Sequence, residues 1–214
     1  MTVRSVMTQN PFTVEDTDTV TDAQGLMERE KVHRLPVINE HKKLVGIISE
    51  KDLLKASPSQ ATTLTVYEMN NLLAKLSVSK VMTRKVLTVT PDTLVEDAAR
   101  MLVDNNIGGL PVLDGEKLVG IVTESDLFRL LIDLFGTRRK GLRLTLRVPE
   151  RPGEMADMTK TITDAGGNII SLGSFSGNDV SNAVLILKVE DIGKDELLKL
   201  LEPLVVEVMD AREV

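Results

Sequence analysis

From residue 142 the chain alternates without a break. Leu142, Leu144, Leu146 and Val148 are apolar, and Arg143, Thr145 and Arg147 between them are polar. A period of two places the apolar set on one face, so this stretch predicts a half-buried strand. After "RPG" an apolar-periodic helix is expected over Glu154 to Ala165. "GGNIISLGSFS" and "NAVLILKVE" then read as strands, "KDELLKLLEPL" as a helix and "VVEVMD" as a last strand. The first 137 residues carry a different pattern, written twice. "LVGIISEKDLL" (44–54) returns as "LVGIVTESDLF" (118–128), and "SVMTQNPFTVEDTDTVTDA" (5–23) as "KVMTRKVLTVTPDTLVEDA" (80–98). "LPVINEHKKLVGI" (35–47) matches "LPVLDGEKLVGI" (110–121) with one residue lost in the turn. Self-similarity of this length marks a duplicated structural unit.

Within each copy the signals give β-α-β-β-α. "FTV" and "LTV" are short β-prone runs. In the second copy Thr93-x-x-Glu96 reads as a capping box ahead of an apolar face of Val95, Ala98, Ala99 and Leu102, and Asn105-Asn106 as its stop. "LPVL" and "KLVGIV" are strands joined at Asp114-Gly115, a hairpin signal. A second helix is expected from Thr123 or Glu124 to Phe135, ended by Gly136. Neither copy alone covers its sheet, so the two are expected to pack as a pseudo-symmetric pair. The fold class is α+β. Repeat 1 is placed at 1–56, a connecting helix at 57–77 with Thr65-x-x-Glu68 as its cap, repeat 2 at 78–137, and a separate domain at 138–214. The β-α-β-β-α-β order of that last domain is ferredoxin-like.

Composition narrows the chemistry. Hydrophobic residues make up 42% of the 214, but aromatics only 2%, so the cores are aliphatic. The absence of Cys removes disulfides, thiolate nucleophiles and cysteine zinc sites. His33 and His41 are the only histidines and do not make a His-rich metal site. No nucleophile elbow or phosphate-loop motif is present, so no catalytic residue and no catalytic cofactor is expected. A net charge of −6 disfavours nucleic-acid binding. The basic stretch at 137–151 reads as solvated charge on a linker and one strand face. Apolar runs such as "AVLIL" (183–187) are too short for a membrane span, and the N-terminus has no signal-peptide core, so a soluble, cytoplasmic protein is expected.

The residues also carry a resemblance. "VMT…TV…LPV…LVGI", followed by Ser or Thr and, three residues on, Asp, occurs twice and resembles a tandem pair of cystathionine-β-synthase (CBS) domains, a Bateman module. The "RPGEM…AGGNI" unit looks like an ACT domain. The order, length and "KASPS" segment are similar to the acetoin-utilisation regulatory proteins of bacilli. The CBS resemblance implies a cleft between repeats for an adenosine-containing ligand such as AMP, ADP, ATP or S-adenosylmethionine. It assigns contacts to Gly46, Ser49 and Asp52, and to Gly120, Thr123 and Asp126, with Asp on the ribose hydroxyls. Pro36 and Pro111 lie on the adjoining strands. His33 and Arg34 would face phosphate, where the second copy has Gly108 and Gly109, so one strong site is expected. The ACT resemblance points to Arg151, Pro152, Gly153, Gly167, Asn168 and Ile169 as an amino-acid site. Both module types usually pair, so the two resemblances imply a homodimer, and with no enzymatic domain read in the sequence a regulated protein acted on in trans is expected. The residues alone leave a second reading open: Ser/Thr three positions before Asp is also a helix cap, worth about 1 kcal/mol with no ligand. The protein is then a ligand-free interaction dimer.

Overall fold

The computed structural model describes residues 1–56 and 75–214. The expected connecting helix, with Thr65 and Glu68, lies almost wholly outside these residues. The chain packs as two compact units, Met1–Leu127 and Phe128–Val214. No helix among the described residues is long and apolar enough to cross a membrane.

The first unit holds β1 (Thr8–Gln9), β2 (Val14–Glu15), α1 (Val20–Glu30), β3 (Arg34–Ile38), β4 (Leu44–Ser49), α2 (Glu50–Ala56), α3 (Val78–Val81), α4 (Val95–Asp104), β5 (Gly109–Asp114) and β6 (Lys117–Thr123). Helix α5 (Glu124–Leu134) begins in it and runs into the second. One sheet runs β2-β3-β4, with β2 parallel to β3 and β4 antiparallel. The other runs β1-β6-β5, and a parallel bridge from Val89 to Val112 repeats the β2–β3 pairing. The hairpin turn falls at Asp114-Gly115, where Gly115 takes φ 61°.

The lead segments are exchanged between the repeats. Strand β1 comes from the first copy but pairs with β6 of the second, Thr8 opposite Ile121 and Gln9 opposite Gly120. Thr83, its counterpart, exchanges two backbone hydrogen bonds with Ile47 of β4, at 2.9 and 3.0 Å. The hydrophobic cores follow this exchange. Val78 and Met82 are buried with Val14, Val20, Leu35 and Ile48 of the first copy. Val3 is buried with Val89, Leu102, Leu110 and Val122 of the second, and Val6 and Met7 pack beside it. A fully buried Val contributes about 1.5–3 kcal/mol, so each core is incomplete without the other repeat's leader.

The exchange explains two features of the sequence. Met82 lies over Gly46, and Met7 over Gly120; a β-carbon there would stand 2.4 or 2.5 Å from the sulfur, and 3.2 or 3.1 Å from the carbonyl oxygen of Thr83 or Thr8. The "VMT" and "LVGI" motifs are thus two halves of one contact. The expected Thr93 cap, in contrast, is not formed. Helix α4 has Leu94 at its N-cap, and Thr93 Oγ1 instead accepts from the Thr90 amide at 3.0 Å. The leader supplies what the cap does not: the amide of Val95 donates to the Met1 carbonyl, and Val3 donates to the carbonyl of Thr93. The capping box that does form is Thr19–Asp22, at the head of α1.

The second unit continues with β7 (Leu142–Pro149), α6 (Glu154–Asp164), β8 (Asn168–Ser176), β9 (Asn182–Glu190), α7 (Lys194–Leu201) and β10 (Glu207–Glu213). Its sheet order is β10-β7-β9-β8, antiparallel throughout, which is the split arrangement that the element order predicts. Leu142, Leu144, Leu146 and Val148 are buried with Met158, Ile162, Leu197 and Leu201 from the two helices. Four of the five arginines of the basic stretch meet carboxylates of this same unit. Arg143 pairs with Asp210, Arg147 with Glu207 at 2.7 Å, Arg151 with Asp157 at 2.8 Å, and Arg139 with Glu190.

Gly120→Ala is expected to destabilise the first unit by about 1–3 kcal/mol, because the added carbon meets backbone as well as the Met7 side chain. Urea unfolding followed by circular dichroism measures it; an unchanged midpoint would refute the leader-on-glycine contact.

Candidate functional site

Strand β4 delivers Ser49 to the head of α2, and β6 delivers Thr123 to the head of α5. In both places an aspartate three residues on turns back to the strand end. Ser49 donates to Asp52 Oδ2 through its amide at 3.0 Å and its hydroxyl at 2.6 Å. Thr123 does the same to Asp126 Oδ2 at 2.9 and 2.7 Å. The first helical amides are tied to the neighbouring strand, Glu50 to the His33 carbonyl at 3.1 Å and Glu124 to that of Gly108 at 3.3 Å. The same bonds occur at Thr19 and Asp22, with the reciprocal amide bond added. Each aspartate is therefore a cap acceptor through one oxygen, whatever else it contacts.

Of these aspartates, Asp52 lines a cavity of the unit. A cavity of about 640 Å³ is lined by Ser49, Asp52, His33 and Arg34 from the first repeat, and by Thr83, Lys85 and the segment from Asn105 to Gly109 from the second. That volume suits a small organic ligand. Lys51 and Lys55, one turn apart on α2, add positive charge to its wall. Thr123 and Asp126 do not line it, and Asp126 is only 6% exposed. Gly46, Gly120, Pro36 and Pro111 are buried and also stand outside its wall. Lys85, Lys51, Lys55 and Asn105–Asn106 do line it and were not expected from the sequence. The leader exchange brings Lys85 there, a tertiary event with no local signal; the two α2 lysines show only as the difference between Lys51 and Ser125.

Arg34 is the unusual member. Its guanidinium reaches across to the second repeat, so that a β-carbon on Gly108 or Gly109 would come within 2.3 or 2.6 Å of its nitrogens. Nη1 is buried and has no hydrogen-bond partner among the described residues. Burial pushes its pKa down, opposed by the negative charges of Glu124, Asp126 and Glu50. His33 is exposed, with Nδ1 3.0 Å from Glu50 Oε2. The arrangement offers a cationic pocket, a strand-to-helix turn, and in its wall an arginine, the side-chain type suited to phosphate or carboxylate oxygens.

The second unit places its sequence-predicted residues apart. The loop Arg151-Pro152-Gly153 follows the end of β7, where Pro149 opposes Asn182 at the start of β9. Asn168 opposes Glu190, at the other end of β9, and donates to its side chain at 2.7 Å. Gly167 is buried against Ile162 and Val189, and Ile169 packs on the core. Gly153 takes φ +91° at the start of α6, a conformation that favours glycine without any ligand.

The family model described as the CBS domain matches residues 3–59 and 78–133. The crystal structure of a protein named for acetoin utilization (AcuB) from Vibrio cholerae is similar, with 33% identity and a TM-score of 0.54, covering 64% of this chain and 95% of that one. CBSX2, solved in complex with AMP, shares 33% identity at a TM-score of 0.52, covering 64% and 98%; CBSX2 is a chloroplastic protein of Arabidopsis thaliana. The CBS domain pair of protein MJ0100, solved with 5′-methylthioadenosine and S-adenosyl-L-methionine, shares 31% identity at a TM-score of 0.52, covering 65% and 98%. The family match ends at residue 133, short of β7.

The cap at the head of α1 carries a pH signature. Bonding to the Thr19 hydroxyl and amide holds the Asp22 carboxyl below its ordinary 3.8. A depressed folded pKa means the stabilisation is full above the unfolded value and is lost as pH falls through the folded one. Thr19→Val is expected to lower stability at neutral pH, with the deficit shrinking once pH drops below about 3.8. Denaturation midpoints across pH 2–7 measure this, and a deficit independent of pH would contradict the cap.

Proposed function

Because the chain belongs to the CBS domain family, with two matched repeats that form a CBS domain pair, we propose that it is a non-catalytic regulatory sensor whose Ser49–Asp52 cleft binds an adenosine-containing ligand. The observation that carries this reading is the buried, unpartnered Nη1 of Arg34 in the wall of a cavity that also holds Ser49 and Asp52. Leaving a charged donor unsatisfied costs free energy of about 1–3 kcal/mol or more, and an anionic ligand removes that cost. AMP bound to CBSX2, and the two adenosyl compounds bound to MJ0100, support an adenosine ligand. In this reading the free oxygen of Asp52 takes ribose hydroxyls while Oδ2 keeps the cap. Arg34, with His33 beside it, takes the anionic end.

The second unit fits an ACT domain in this proposal. Its sheet order supports that assignment. Since Arg151–Gly153 and Gly167–Ile169 sit at opposite ends of the sheet, an amino-acid site built from both needs a second chain. This accords with a homodimer. Ligand binding shifts a conformational equilibrium only through its different affinity for the two states, and the output acts on a partner protein in trans.

Calorimetric titration of nucleotide-stripped protein with AMP, ATP and S-adenosylmethionine tests the proposal. Saturable binding of at least one is expected, with Arg34→Ala weakening it about tenfold or more through the lost charge-assisted bonds. No binding of any of the three to folded protein would reject the sensor reading and leave an interaction module with capped helices.

A further inference from the structure

The two repeats keep the same hydroxyl-x-x-Asp turn, yet the space in front of each differs. His33 and Arg34 stand at the start of β3 where Gly108 and Gly109 stand at the start of β5, and the Arg34 side chain lies on the backbone of those glycines. One guanidinium thus occupies the volume that the second repeat leaves empty by having no side chains there. A β-carbon on Gly109 would also stand 3.4 Å from the Thr123 methyl, so Arg34 is packed beside the second turn. The negative charges it faces include Glu124 and Asp126 of the second repeat. Asp126 is buried, whereas Asp52 is part-exposed and lines the cavity.

Charge separates the two turns as well. Arg34, Lys51, Lys55 and Lys85 line the Ser49–Asp52 cavity against Glu50 and Asp52. A net positive cavity in a chain of net charge −6 concentrates anions. A sulfonium ligand would bring a like charge to the same wall. We infer that each chain binds a single phosphorylated adenosine, at the Ser49–Asp52 turn, and that Arg34 itself closes the Thr123–Asp126 turn to a second one. This rests on the proposed adenosine-ligand reading. Arg34 then has two roles: it adds positive charge to the wall of the cavity, and its guanidinium fills the space over Gly108 and Gly109 beside the second turn.

Equilibrium dialysis and calorimetry of the full chain with AMP test the inference. Wild type should bind one equivalent per chain, and S-adenosylmethionine should bind at least about tenfold more weakly than AMP, since it lacks the phosphate that charge-assisted bonds require. Asp52→Asn should weaken AMP binding about tenfold or more, with Asp126→Asn within about twofold of wild type. At saturating AMP, Arg34→Ser should take up a second equivalent, and Gly109→Ala, which displaces Arg34 without removing its charge, should do the same. Thermal unfolding of each variant separates a lost site from a lost fold. Two equivalents on wild type, sensitivity to Asp126→Asn but not Asp52→Asn, or one equivalent persisting in both Arg34→Ser and Gly109→Ala, overturns the inference and leaves an adenosine sensor standing. Tighter binding of S-adenosylmethionine than of AMP does so too. Absence of binding by every adenosine compound overturns both.

Discussion

The contact on which the first unit depends is a methionine lying on a glycine of the other repeat. Met7 on Gly120 and Met82 on Gly46 lock each leader across the neighbouring sheet, and the carbonyls of Thr8 and Thr83 come within about 3 Å of where a β-carbon would be. Once the leaders cross, Val3 and Val78 are committed to cores that are not their own. The two repeats therefore fold as one body, because neither can complete its core without the other. The same crossing carries Thr83 and Lys85 to the wall of the Ser49–Asp52 cavity. Core and site are products of one exchange.

This exchange marks the limit of what the sequence discloses. The elements of each repeat were legible because they rest on local periodicity and turn chemistry: α4 stops at Asn105, the hairpin turns at Gly115, and α5 ends ahead of Gly136 at φ +55°. The alternation of Leu142 to Val148 was legible for the same reason. The Thr93 cap was misread because a tertiary acceptor and donor, the Met1 carbonyl and the Val3 amide, hold the helix start in its place. Gly46 and Gly120 read as ligand-approach glycines from the family resemblance, whereas the structure gives each a packing reason. A glycine that admits a methionine and one that admits a nucleotide look alike in one dimension.

The hydroxyl-x-x-Asp turns show how one local device serves two purposes. Among the described residues three such turns make the same bonds to one carboxylate oxygen. The turn at Thr19 is a full capping box at the exposed head of α1, so the motif is stable with no ligand nearby. What distinguishes the Ser49 turn is its surroundings: a cavity lined by four cations, the Arg34 guanidinium among them. The motif positions a carboxylate, and the surroundings decide whether it meets a ligand.

Those surroundings are asymmetric because duplication allowed them to diverge where backbone geometry is least affected. Both copies need the Leu-Pro-Val strand and the glycine under methionine, and both have them. The two positions ahead of that strand are free of this demand, and there one copy has His-Arg and the other Gly-Gly. The difference is complementary rather than random loss. A second arginine at position 109 would place two guanidinium groups in one space, with like charges a few ångströms apart and no room for either. The glycines relieve both conflicts and let Arg34 approach Glu124 and Asp126. The asymmetry places four cations around the Ser49–Asp52 cavity and costs neither repeat its fold.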